Sequence, residues 1–70
     1  MKYHNKIKEL REDLDLSQKE LGLKFNISQK AISQYERQER EIPNDLIIEF
    51  AKFFNVTTDY LLGVSARKGD

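Results

Sequence analysis

Gln29, Lys30, Ser33, Gln34 and Arg37 recur at helical spacing near the end of the stretch SQKELGLKFNISQKAISQYER, residues 17–37. With Gln29 at zero and about 100° per residue, they fall between roughly 0° and 140° around a helix, forming one wholly polar face. Glutamine can make a bidentate hydrogen-bond pair with adenine in the major groove of DNA, arginine and lysine can read guanine, and serine can serve several bases or a phosphate. Gln29, Lys30, Ser33 and Gln34 are therefore the candidate base-reading set. An ordinary solvated helix face would carry the same residue types, so the face alone has only moderate weight.

The elements that must hold this face are marked in the sequence. Ser17 followed by Glu20 fits a capping box, which starts one helix. Asn26 tolerates the left-handed backbone that ends a helix, and Ser28 is a good N-cap for the next. Ala31, Tyr35, Ser28 and Ile32 fall between roughly 200° and 300° on that second helix, an inward stripe that is apolar apart from the capping serine. Leu21 and Phe25 can face the core from the first helix. Gly22 costs about 1 kcal/mol relative to alanine inside a helix, which suggests that helix 3 approaches its backbone closely.

The rest of the chain reads as support. Tyr3, Ile7, Leu10 and Leu14 make a narrow apolar stripe on a first helix. The charged segment ERQEREIP, residues 36–43, is expected to be an exposed loop ending at the only proline. Asn44 is then the expected cap of helix 4, whose Leu46, Ile47, Phe50, Ala51, Phe53 and Phe54 supply most of the core. Ile48 lies outside that arc and is a candidate dimer contact, together with Tyr60. Asn55 can end helix 4, Val56 can fill a core gap, and Thr57 can cap a short fifth helix that stops at Gly63, with Leu61 and Leu62 closing the core.

Seventy residues suit one small domain, expected over residues 1–64, with 65–70 as a disordered C-terminal tail. With no cysteine and a lone His4, neither disulfides nor a zinc site can staple it, and no metal or other cofactor is expected. No apolar run reaches the ~18 to 20 residues of a membrane span and no secretory leader opens the chain, so it reads as cytoplasmic. Twelve basic residues balance twelve acidic ones, which argues against a generally basic nucleic-acid-coating protein. By segment, residues 1–16 hold four basic and four acidic side chains, 17–40 five and three, and 41–70 three and five, giving net charges of 0, +2 and −2. No glycine-rich phosphate loop, metal-ligand cluster or nucleophile motif is present, so catalysis is not expected.

Four pieces of the sequence together carry a resemblance: IKELRED in helix 1, LSQKEL leading into helix 2, NISQKAISQYER through the turn and helix 3, and IIEFAKFFNVTTDYLLG at the end. Over almost its full length the chain resembles the XRE family, the phage-repressor and Cro type of helix-turn-helix domain. The resemblance implies an all-α fold, a compact five-helix bundle of the lambda-repressor-like type, with helix 3 in the major groove and helix 2 across the backbone. It implies that Gln18 contacts phosphate and braces Gln29, and that Gln29, Lys30, Ser33 and Gln34 read bases. Ser17, Lys19, Ser28, Arg37 and Asn44 would meet the DNA backbone, and Arg11 would pair structurally with Glu36. Two departures stand out. Asn26 occupies a turn position where the family usually has glycine, and Gln38 another, after the Glu-Arg pair.

The function so implied is a sequence-specific DNA-binding transcriptional regulator, a repressor on a palindromic operator, acting as a homodimer. Its partners are then double-stranded DNA and a second copy of the chain, with no membrane and no small-molecule ligand. Two other readings stay open from sequence: a protein-interaction module using the same fold, as in related antitoxins, and the DNA-binding part of a longer repressor.

Overall fold

The first helix starts at Ile7, and residues 4–6 within the stripe that opens at Tyr3 are not helical. The computed structural model describes residues 4–65, so Tyr3 and residues 66–70 of the expected tail at 65–70 lie outside the described residues, while Ser65, the first residue of that tail, donates its N–H to the Asp59 carbonyl at 3.2 Å. It is all-α, with five helices and no strand among those residues: α1 Ile7–Asp13, α2 Gln18–Phe25, α3 Gln29–Glu36, α4 Asn44–Phe54 and α5 Thr58–Leu61. No helix among the described residues is long and apolar enough to cross a membrane. Two units can be distinguished, Ile7–Glu41 with α1 to α3, and residues 42–65 with 4–6, which hold α4 and α5.

In the first unit α3 packs against both α1 and α2, and Ile7, Leu21 and Ile32 are fully buried. Leu14 does not join them. The helix ends at Asp13 and Asp15 turns left-handed, at φ 56°, which leaves Leu14 half exposed. The next helix starts as the capping box requires: the Ser17 hydroxyl accepts from the Glu20 N–H at 3.0 Å and the Ser17 N–H donates to the Glu20 carboxylate at 2.8 Å. Those bonds from Ser17 hold the Glu20 carboxyl below its ordinary pKa.

Between α2 and α3 the chain needs only three residues. Asn26 takes the left-handed cap at φ 57°, tolerable for its short polar side chain, and Ser28 opens α3 by accepting from the Ala31 N–H at 3.1 Å. Gly22 explains why the turn is so tight. The Ile27 N–H donates to the Gly22 carbonyl at 2.8 Å, and a Cβ at Gly22 would run into the Ile27 carbonyl oxygen. The close neighbour of this glycine is thus the turn itself rather than the body of helix 3. After α3, Gln38 adopts φ 58° at the position where the family resemblance expects glycine. The exposed Arg40 there lies 5.6 Å from the centre of the buried Tyr35 ring, a cation–π distance.

In the second unit α4 packs on α5. Phe50, Ala51 and Phe54 are buried as expected, while Leu46 and Ile47 are half-buried and Phe53 is 37% exposed. The Phe53 ring meets Phe54 edge-on at 5.1 Å. The cap of α4 is Pro43, not Asn44. Proline already holds φ near the value an N-cap needs, its ψ is extended at 144°, and its carbonyl accepts from Leu46 and Ile47 at 3.0 Å. That makes Asn44 the first helical residue, with no side-chain cap bond at this helix start. Asn55 ends α4 left-handed at φ 57°, and the Thr57 hydroxyl caps α5 through the Tyr60 N–H at 3.0 Å.

Gly63 stops α5 and does more. The chain entering at residues 4–6 crosses here, with the Lys6 N–H on the Leu61 carbonyl at 2.8 Å. Gly63 sits at φ +82°, and a Cβ there would collide with the His4 carbonyl oxygen. The left-handed backbone alone costs an L residue about 1 to 2 kcal/mol. Gly63→Ala should therefore lower the unfolding free energy by more than about 2 kcal/mol in urea titration; a variant as stable as the parent would show that this crossing is not fixed.

Candidate nucleic-acid interface

The face singled out in the sequence is the outer face of α3. Burial of Ala31, Ile32 and Tyr35 turns that helix so that Gln29 and Lys30 are exposed and Ser33 and Gln34 half-exposed. Among the described residues, none of these four side chains has an intramolecular hydrogen bond or ion pair. Two amides, an ammonium and a hydroxyl are thus offered along one side of two helical turns. They can donate and accept in the patterns that base edges present.

Arg37 differs from its neighbours. It is the C-cap residue of α3, its Nε donates weakly to the Ser33 carbonyl at 3.4 Å, and its terminal nitrogen pairs with Glu39 at 3.3 Å. Both partners of that pair are more than half exposed, so the guanidinium can exchange Glu39 for a phosphate at little cost.

What holds α3 is a buried carboxylate. Glu36 ends the helix and is 5% exposed. Arg11 Nε donates to its Oε2 at 2.7 Å and a terminal Arg11 nitrogen to its Oε1 at 3.2 Å, a two-pronged, charge-assisted contact. The other terminal nitrogen donates to the Leu16 carbonyl at 2.7 Å. Hydrogen bonding to Glu36 raises the Arg11 pKa against the opposing effect of burial. The third donor is Gln18, at the start of α2, whose Nε2 reaches Glu36 Oε1 at 3.0 Å. Its amide, expected to brace Gln29, is thus tied to Glu36.

The remaining candidates divide by unit. Ser17, an exposed cap, and Lys19, exposed on α2, stand at the start of that helix, and Ser28 at the start of α3. Asn44, Ile48 and Tyr60 belong to the other unit; Asn44 is exposed, Ile48 is 46% exposed and Tyr60 is half-buried. Periodicity had no means of finding the Gln18 to Glu36 bond, because the partners are 18 residues apart. It also passed over Leu23, 72% exposed on α2, which gives no signal distinguishing it from a core leucine.

A family model described as "Helix-turn-helix" matches residues 7–61, which takes in all five helices. The chain belongs to the XRE-type helix-turn-helix family. Among curated relatives, this helix-turn-helix chain is similar to the HTH-type transcriptional regulator ImmR of Bacillus subtilis strain 168, at 38% identity over 63 residues, 90% of this chain and 50% of the relative. It is also similar to the uncharacterized HTH-type transcriptional regulator YobD of the same strain, at 27% identity over 63 residues, 90% of this chain and 56% of the relative. The chain thus spans about half the length of the curated relatives it matches. The helix-turn-helix motif is α2, the turn at residues 26–28 and α3.

Removing one side of the buried pair exposes its cost. Arg11→Met leaves the Glu36 carboxylate without its cation and should cost about 3 to 5 kcal/mol, enough to unfold a domain of this size. Arg11→Met combined with Glu36→Leu removes both charges and should be more stable than Arg11→Met alone. Urea unfolding of the single and double variants checks this, and a double variant less stable than Arg11→Met would contradict it.

Proposed function

We propose that this chain is a non-enzymatic, sequence-specific DNA-binding module of a cytoplasmic transcriptional repressor, recognising a palindromic operator through the major groove as a homodimer. The observation that carries the proposal is the rigidly supported outer face of α3, where Gln29, Lys30, Ser33 and Gln34 have no intramolecular partner among the described residues. The family membership supports it, and so does the transcriptional-regulator name of both relatives. In this reading the four side chains meet base edges, glutamine amides on adenine and Lys30 on guanine.

Contacts to the DNA backbone would come from Ser17, Lys19, Ser28 and Arg37, with Gln18 beside them at the start of α2. The start of α4, at Asn44, is a separate helix N-terminus of the kind that favours phosphate. Ile48 and Tyr60 are the proposed contacts between two copies. A two-fold symmetric pair would set its recognition helices about 34 Å apart, one turn of DNA.

Selection of bound duplexes from a random library tests the reading, with the consensus inspected for two-fold symmetry. On the selected duplex, Gln29→Ala or Gln34→Ala should relax base preference by about 1 to 3 kcal/mol at one position of each half-site. Lys19→Ala should weaken all duplexes alike and reduce the slope of log affinity against log salt by about 1. Equal, weak binding of every duplex would sink the proposal.

A further inference from the structure

We infer that Glu39 is a built-in competitor for DNA phosphate: its carboxylate holds the Arg37 guanidinium in the free protein and is displaced when DNA binds, which weakens binding to duplexes of every sequence by one factor. The inference rests on the DNA-binding reading of α3, with Arg37 on the DNA backbone, and adds a residue that sets the overall strength of binding. Three acidic side chains fall in residues 17–40. Glu20 closes the capping box and Glu36 is buried against Arg11. Glu39 alone neutralises a cation of the DNA-facing set, its Oε1 lying 3.3 Å from a terminal nitrogen of Arg37.

The backbone builds this pair. Residues two apart on a continuing helix lie about 200° apart around it and do not face each other. Here the left-handed Gln38, at φ 58°, turns the chain directly after the C-cap Arg37. The Gln38 N–H donates to the Tyr35 carbonyl at 3.1 Å and the Glu39 N–H to the Gln34 carbonyl at 2.9 Å, the paired bonds of a Schellman turn. Glu39 is thereby bonded back onto the last turn of α3, within reach of Arg37, whose Nε also donates weakly to the Ser33 carbonyl at 3.4 Å.

A carboxylate and a phosphate offer a guanidinium the same sign of charge and the same kind of acceptor oxygen, so they compete for it. Both partners of the pair are more than half exposed, which leaves the exchange open and its cost small. Once displaced, the Glu39 carboxylate stays beside the DNA backbone, where like charges repel. It also takes up a cation from solution, which offsets part of the counterion release that the Arg37 contact brings. Phosphates are alike in every duplex, so this competition leaves base preference to Gln29, Lys30, Ser33 and Gln34.

The experiment uses Glu39→Gln, which keeps the length of the side chain and removes its charge. Binding of the full chain is measured over a range of salt concentrations, on the duplex selected by the parent protein and on a scrambled duplex of the same composition. The same substitution is then made in an Arg37→Ala background. Glu39→Gln should tighten both duplexes by one factor, about two- to fivefold at low salt, and steepen the slope of log affinity against log salt by up to about 1. Without Arg37 the gain should shrink markedly. An equal gain with and without Arg37 would show that Glu39 acts only by repelling DNA, and overturns the inference. Unchanged or weaker binding of Glu39→Gln overturns it as well, and so does a gain confined to one of the two duplexes. If the parent binds no duplex, the DNA-binding reading fails and the inference with it, whereas a parent that binds while Glu39→Gln gains nothing sinks the inference alone.

Discussion

The buried pair between Arg11 and Glu36 settles where α3 can lie. A carboxylate at the last residue of a helix faces the negative end of the helix dipole, and burial takes away the water that would screen it. Only a close cation makes that position tenable, and Arg11 provides one at 2.7 Å. The same guanidinium reaches the Leu16 carbonyl, so one side chain ties the end of α3 to α1 and to the connection before α2. Gln18 closes the arrangement from α2. An apolar core of Ile7, Leu21 and Ile32 supplies the stabilising burial, but apolar contacts are non-directional. The hydrogen-bonded carboxylate is what gives the helix a defined end point and rotation.

Short helices make that directional contact necessary. Seven or eight residues form each of the three helices of this unit, well under the length at which an isolated helix is stable. The chain reverses after them through left-handed residues at Asp15, Asn26 and Gln38. Asparagine and aspartate accept that backbone readily, whereas Gln38 holds it without such a short side chain, just past the anchor at Glu36. Strain of about 1 kcal/mol there is borne by a loop outside the polar face of α3. Among the described residues the side chains of Gln29, Lys30, Ser33 and Gln34 can then stay free of internal hydrogen bonds, because the anchor at Glu36 uses none of them.

Most of this was legible in the sequence because its signals are local. Capping chemistry at Ser17, Ser28 and Thr57, the αL residues Asn26 and Asn55, and the stripe of Ala31, Ile32 and Tyr35 depend on neighbours within a few positions, which one sequence displays. Where local rules compete, the reading slipped. Proline and asparagine both suit the start of α4, and the fixed φ of Pro43 took the cap. Leu14 fits a helical stripe, but the left-handed Asp15 ends the helix before it. The neighbour of Gly22 and the partner of Gln18 are set by how the chain turns back on itself, and no spacing rule encodes that. The Arg11 and Glu36 pairing came from family resemblance, since 25 residues separate the two.

The central claim is that the anchored outer face of α3 is the surface that meets DNA bases. Chemical-shift perturbation of the isotope-labelled protein on titration with its selected duplex tests this most directly. The account predicts the largest changes at the side-chain amides of Gln29 and Gln34 and the backbone of Lys30 and Ser33, with the Arg11 guanidinium resonance unshifted because its pair with Glu36 stays intact. Changes centred on Ile48 and Tyr60 with α3 silent, or loss of the Arg11 signal on binding, would contradict it.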